Sequence, residues 1–183
     1  MSTAAAAAAP RSLWRRMWRA ARLDAHVYEE VEAEPRALPQ AALVVLLASV
    51  AGALGGQIAG KPTLHVALDL FEPLVLWLGG SAFTYMVGST FLRGPHTVTD
   101  YAEVLRTTGF AFAPGVLRGL VALPPPELGS WLPLAADLWM LVAGVVAVRQ
   151  ALDFGTRRAI ATFGLSFVLL WLSLGGLLWV LPA

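Results

Sequence analysis

Residues 147–160 read AVRQALDFGTRRAI, and they set Arg149, Asp153, Arg157 and Arg158 between two long apolar runs. The chain around them is 57% hydrophobic and 14% charged. A soluble domain carries roughly 25% charged residues. The apolar residues are gathered into runs close to the ~20 residues that an α-helix needs to cross a bilayer. The composition is that of an integral membrane protein whose first partner is the lipid bilayer, and the charged island is a loop outside it.

Working outward from that loop gives five expected spans. The fourth covers about 131–148 and the fifth about 159–181, a nearly unbroken apolar run holding Trp171 and Trp179. The first covers about 40–58, QAALVVLLASVAGALGGQI, with small residues every fourth position at Ala48, Gly52, Gly56 and Gly60. Such a stripe lets a second helix come close, either within the chain or from a second copy in a homo-oligomer. The second span covers about 73–92, with residues 64–72 as an interfacial turn or the tilted start of that helix. Asp100 and Glu103 have capping-box spacing and predict a helix start near Tyr101. The third span, about 105–123, carries Pro114-Gly115 at its centre. It is expected to be kinked or broken and to face protein rather than lipid. Pro-rich PPPELG then separates it from the fourth span.

Charge distribution orients these spans. With the N-terminus in the cytoplasm, Arg11, Arg15, Arg16, Arg19, Arg22, Arg36, Arg93, Arg106, Arg149, Arg157 and Arg158 fall on the cytoplasmic side, against Lys61 and Arg118 on the other. That asymmetry follows the positive-inside rule, and five crossings place the C-terminus on the opposite side. The 147–160 stretch becomes a cytoplasmic loop in which Arg149, Asp153 and Arg157 stand as i, i+4 neighbours on a helix extending the fourth span. A near-exclusive use of Arg over Lys, with high Ala, Leu and Gly, suggests a GC-rich bacterial genome and an inner-membrane location. Net charge of +1 points to no nucleic-acid partner.

The segment before the first span divides in two. Residues 1–11 are an Ala-rich, low-complexity stretch expected to be disordered, and not a secretory signal. Residues 12–36 read as a cytoplasmic amphipathic helix followed by acidic residues. On a helical wheel, Leu13, Trp14, Met17, Trp18, Ala21, Ala25 and Tyr28 fall to one side, and Arg15, Arg16, Arg19 and Arg22 to the other. Such a helix lies in the headgroup layer, with Trp14 and Trp18 as anchors and the four arginines on anionic lipid, or packs on the protein's own cytoplasmic surface. Tyr28, Glu29, Glu30, Glu32 and Glu34 follow. They pair with loop arginines (93, 106, 149, 157, 158), form a docking surface for a basic partner, or stay solvated.

Three stretches carry a family resemblance: ARLDAHVYEEVEAEPRALPQAALVVLLA, GFAFAPGVLRGL and LWMLVAGVVAVRQALDFGTRRAIAT. In that order they are similar to bacterial members of the Yip-type family, that of the Ypt/Rab-GTPase-interacting domain, over roughly residues 20 to 180. The resemblance implies an all-α polytopic membrane protein of five transmembrane helices, with residues 37–183 as the Yip-like domain and the N-terminal segment in the cytoplasm. Eukaryotic relatives act in vesicle traffic and bind Rab GTPases. A bacterium has no such traffic, so that role does not transfer, and the family offers no catalytic residues to carry over.

No catalytic, cofactor or metal constellation is visible. The chain has no cysteine, and His26, His65 and His96 lie in three separate segments. The chain is read as a non-enzyme. Charges at membrane depth are costly and mark sites by default. Arg118 and Asp137 stand at similar depth on either side of PPPELG and either pair or reach the interface singly. Asp69 and Glu72 are read as loop charges or, with little support, a cation site. The expected function is to organise membrane or partner proteins through the N-terminal segment. The alternative is a small transporter or channel subunit built on the broken third span with Arg118 and Asp137.

Overall fold

The computed structural model describes residues 12–94, 99–121, 123 and 129–180. The Ala-rich stretch 1–11, His96 and nearly all of PPPELG lie outside the described residues, as does the side chain of Trp179. Helices α1 (Leu13–Ala21) and α2 (Ala25–Glu32) precede α3 (Leu38–Ile58), α4 (Thr63–Met86), α5 (Tyr101–Phe110), α6 (Leu132–Ala151) and α7 (Thr156–Val180). No strand occurs among the described residues. This is an all-α membrane protein. Four helical stretches are long and apolar enough to cross a membrane: Pro35–Ile58, Thr63–Phe91, Leu132–Ala151 and Thr156–Gly175.

Local chemistry explains where the helices stop. At the end of α3, Gly60 takes φ +72° while Gly60 N–H donates to the Gln57 carbonyl and Lys61 N–H to that of Gly56. This is a Schellman motif, which requires a left-handed residue that glycine supplies without a Cβ clash. The same motif ends α1 at Leu23 (φ 60°) and α6 at Asp153 (φ 51°), both non-glycine. In α5, Asp100 accepts from Glu103 N–H at 2.8 Å and Glu103 from Asp100 N–H at 2.8 Å, so the expected capping box forms and the helix starts at Tyr101.

α4 runs without a break from Thr63 through Pro73, so residues 64–72 are helix rather than turn, and a π-helical turn (Val87–Phe91) continues it. The expected third span is not a continuous helix. α5 ends at Phe110, and Ala113–Leu120 forms a 3-10 helix after a two-residue turn. Pro114 lacks the N–H that an α-helix would need there, and Gly115 weakens the helix further. Ala113, Pro114 and Gly115 are buried, enclosed by α3 and α6.

Glycines set the closest approaches. A Cβ on Gly55 would fall inside the backbone carbonyl of Arg118, and one on Gly115 would stand 3.0 Å from the Ala48 Cβ. The small-residue face of α3 thus receives the 3-10 helix of the same chain. Gly52 belongs to this face, Gly56 faces Asp69, Lys61 and Val66 instead, and Gly60 meets nothing within 4 Å and acts only as a cap. Gly79 and Gly144 likewise admit Leu170 and Phe163 of α7.

Candidate functional site

Charged residues gather at the two ends of the bundle. At the first end, α1 and α2 fold back as a cap: α2 packs on α5 and α6, α1 packs on α5 and the 3-10 helix, and a bond from Arg16 to Gln40 ties the cap to the start of α3. Val27, Tyr28 and Val31 of α2 are fully buried. The Tyr28 hydroxyl donates to the Ala20 carbonyl at 3.2 Å, and burial raises its pKa. Tyr28 is therefore a core residue and not part of a docking surface.

Arg16 is the hub of this cap. It is 2% exposed. Its Nε donates to Glu30 at 2.9 Å, Nη1 to Gln40 at 2.8 Å, and Nη2 to Glu34. One guanidinium thus joins α1, α2 and α3. Arg19 donates to Asp24 at 2.7 Å and to Glu30 at 2.9 Å, and its bond holds the Asp24 carboxyl below the usual carboxylate range. The expectation of four arginines turned to lipid is corrected: Arg16 and Arg19 face inward. The single amphipathic helix expected within residues 12–36 is two helices, because the left-handed turn at Leu23 folds α2 back and brings Glu30 to α1.

Glu30 and Glu34 therefore pair with α1 rather than with loop arginines. Arg106, 6% exposed, meets the same segment differently. Its Nε donates to the carbonyls of Val31 and Glu32, both at 3.1 Å. A cation there satisfies the open carbonyls at the end of α2 and complements the helix dipole. Glu32 is half-buried beside it. Burial first, then the charges of Asp153 and Glu103, push its pKa up to about 7, against the opposing pull of Arg106. Glu29 remains exposed and accepts from Gln150 at 2.6 Å.

The 147–160 loop also differs from expectation. α6 stops at Ala151 and α7 begins at Thr156, with Asp153 left-handed between them. Arg149, Asp153 and Arg157 therefore do not share a helix face. Leu152 and Phe154 are buried, and burying them at the turn ends the helix. Arg149 donates to Gln150 at 2.9 Å, Arg158 lies 5.3 Å from the Phe154 ring centroid, and Arg157 is exposed.

What the cap leaves outside is the other face of α1. Trp14 is 67% exposed and Trp18 66%, with Arg15 and Arg22 exposed beside them. The Arg22 guanidinium stands 5.9 Å from the Trp18 ring centroid.

At the second end, Arg118 of the 3-10 helix donates from Nε to Asp137 Oδ1 of α6 at 2.9 Å, and from Nη2 to the same oxygen. Lys61 donates to Asp69 at 2.8 Å. These two pairs and Glu72 line a polar pocket of about 150 Å³ over the glycines of α3. Glu72, Arg118 and Asp137 also form one edge of a second, mainly apolar cavity of about 260 Å³ bordered by α4, α5, α6 and α7. Inside it, Ser81 and Thr108 share a hydrogen bond at 2.8 Å. Trp77 lines the same cavity and donates to the Leu105 carbonyl at 2.9 Å. No group of three or more metal-ligating side chains occurs among the described residues. The apolar cavity was invisible in the sequence, since its walls come from four separate helices.

The cap, the four long apolar helices and the broken third segment occur in one continuous order. The Yip1 domain family model matches residues 22–178, from the end of α1 into α7. The chain belongs to the Yip1 domain family. No curated protein and no solved structure matches it. Within this Yip1 domain the match begins at Arg22, so α1 with its exposed tryptophans stands before the matched region.

Proposed function

We propose that this Yip1 domain protein is a non-enzymatic organiser of a bacterial inner membrane, acting through the outer face of α1 on the cytoplasmic side. Trp14, Arg15, Trp18 and Arg22 lie along the headgroup layer and engage anionic lipid. The broken segment from Tyr101 to Leu120 crosses the bilayer as a fifth passage. Ten α-helical and eight 3-10 residues reach about 30 Å, comparable to the hydrocarbon thickness. The N-terminus is cytoplasmic and the C-terminus lies opposite.

The observation that carries this reading is the exposed Trp–Arg face on a helix whose other face is fixed. Two large indole rings left uncovered beside cations suit an anionic interface, where each basic side chain contributes about 1 kcal/mol near the surface. Arg36, Arg93, Arg157 and Arg158 are exposed as well and extend the positive charge. Partner proteins are engaged through this same face, because Tyr28, Glu30 and Glu34 are occupied inside the cap. Nothing favours a transport role for Arg118 and Asp137.

The chain contains no cysteine, so a single Trp18→Cys change gives a unique labelling site. A spin label there, in vesicles with and without anionic lipid, is expected to sit at headgroup depth in the anionic vesicles and to move outward in neutral ones or at high salt. A label in water under all conditions would sink the reading. Deleting residues 1–34 is a poor test, because it removes Val27, Tyr28 and Val31 from the core.

A further inference from the structure

The polar pocket at the end of the bundle away from the cap adjoins the apolar cavity, and through Glu72, Arg118 and Asp137 the two form one site. We infer that this site binds an ammonium-headed amphiphile, with the cationic head at Glu72 and Asp137 and the hydrocarbon chain among Leu76, Trp77, Met140 and Phe167. The inference is independent of the reading of α1.

Charge selects the head. Lys61 and Asp69 neutralise each other, as do Arg118 and Asp137. Glu72 makes no hydrogen bond or ion pair with any described residue, so the pocket carries one surplus negative charge. Both Arg118 contacts end on Asp137 Oδ1, which leaves Oδ2 open. A primary ammonium has three N–H donors for such acceptors. An anionic head would first have to displace Asp137 from Arg118.

Shape and position select the chain. The cavity, about 260 Å³, is slightly smaller than the usual drug-sized site, ~300–1,000 Å³, and suits a single short chain. Two of its hydroxyls are occupied: Ser81 and Thr108 bond each other, and Thr108 also donates to the Val104 carbonyl at 2.6 Å. The walls therefore offer little to a polar ligand. Glu72 immediately precedes Pro73 and the apolar run of α4, so it stands where polar and apolar surroundings meet, the position that an amphiphile's head takes.

The test is the unfolding midpoint of the full chain in a neutral detergent, titrated with octylammonium, octanol or octyl phosphate. Octylammonium is expected to raise the midpoint in a concentration-dependent way, and the other two far less. Glu72→Gln, at an exposed position without a partner, should fold normally and weaken the octylammonium effect about 10-fold. Gly80→Leu fills the cavity, where the nearest atom to a Cβ is 4.0 Å away, and should abolish the effect with the charges intact. Equal shifts with octanol, a stronger shift with octyl phosphate, or an unchanged response in Glu72→Gln would each overturn the inference. Repeating the titration in nanodiscs distinguishes the natural sources of the head. Competition by ethanolamine phospholipid but not by phosphatidylglycerol assigns it to a lipid, and no competition assigns it to a free amine.

Discussion

Two buried or half-buried arginines, Arg16 and Arg118, sit at opposite ends of the bundle and meet their surroundings differently. Arg16 distributes its donors over Glu30 of α2, Gln40 of α3 and Glu34 between those two helices, and its side chain is 3% exposed. Arg118 directs both described contacts to a single carboxylate oxygen, and its partner Asp137 is 46% exposed. A guanidinium with all three of its nitrogens bonded is a structural joint. A pair with open acceptors beside an unpartnered Glu72 keeps capacity for something else. The cap end is closed upon itself, and the far end is unfinished.

The largest expected effect breaks that comparison directly. Arg16→Ala removes the guanidinium that ties Glu30, Gln40 and Glu34 together, leaves Glu30 to Arg19, and should cost about 3 kcal/mol, as expected when one partner of a buried pair is removed. Arg118→Ala should cost about 1 kcal/mol or less, because Asp137 is already half in contact with the surroundings. Thermal unfolding of the two solubilised variants, run side by side, measures the difference. Equal losses would make the Arg118–Asp137 pair a joint of the same kind as Arg16 and would remove the contrast between the ends.

Much of the architecture could be read from residues whose chemistry is local. The apolar runs, the capping box at Asp100 and the break at Pro114-Gly115 depend on neighbours within a few positions. The fate of the N-terminal arginines does not. A helical wheel sorts residues 13–28 on one axis, but the turn at Leu23 gives α1 and α2 separate axes, and the wheel then misplaces Arg16 and Tyr28. Leu23 gives no warning, since a left-handed conformation is uncommon outside glycine, asparagine and aspartate. Asp153, which ends the helix in the 147–160 loop, is a residue type that tolerates this conformation, and its signal was overridden by the i, i+4 charge pattern. Arg118 and Asp137 could be juxtaposed because only a short Pro-rich stretch of sequence separates their segments. The cavity next to them depends on distant helices and had no sequence signal.

The second effect sharpens the distinction between the two ends by testing what holds the unfinished one together. The stripe at every fourth position gives Gly52 and Gly56, but the tightest approach is at Gly55. Gly55→Ala places a Cβ against the Arg118 backbone, which cannot yield as a side-chain tip would, and should cost about 2–3 kcal/mol by overpacking. Gly52→Ala meets the Arg118 side chain and the Asp69 carbonyl at 3.6 Å, ordinary contact, and should be nearly neutral. Gly55→Ala should also weaken octylammonium binding by shifting Arg118. A neutral Gly55→Ala would mean that the 3-10 segment slides freely on α3, and the polar pocket would have no fixed floor.

The smallest effect concerns the closed end. Glu32, with a pKa raised to about 7 from an ordinary 4.5, stays protonated in the folded chain at pH values where the unfolded chain has lost that proton. The folded state therefore binds more protons between about 4.5 and 7, and this group's contribution to stability falls as pH rises through that window. Above 7 the full penalty of the buried charge is present, about 1 kcal/mol once solvent screening of a half-exposed group is allowed for. Glu32→Gln should remove the pH dependence and stabilise the cap above pH 7. Asp153→Asn keeps a residue tolerant of the left-handed turn while deleting one of the charges that raise Glu32, so it should lower the Glu32 pKa and shrink the slope. Unfolding midpoints of the three proteins across pH 4–9 give the comparison. Parallel curves for wild type and Glu32→Gln would show that Arg106 already neutralises this carboxylate, and that the closed end carries no strained charge at all.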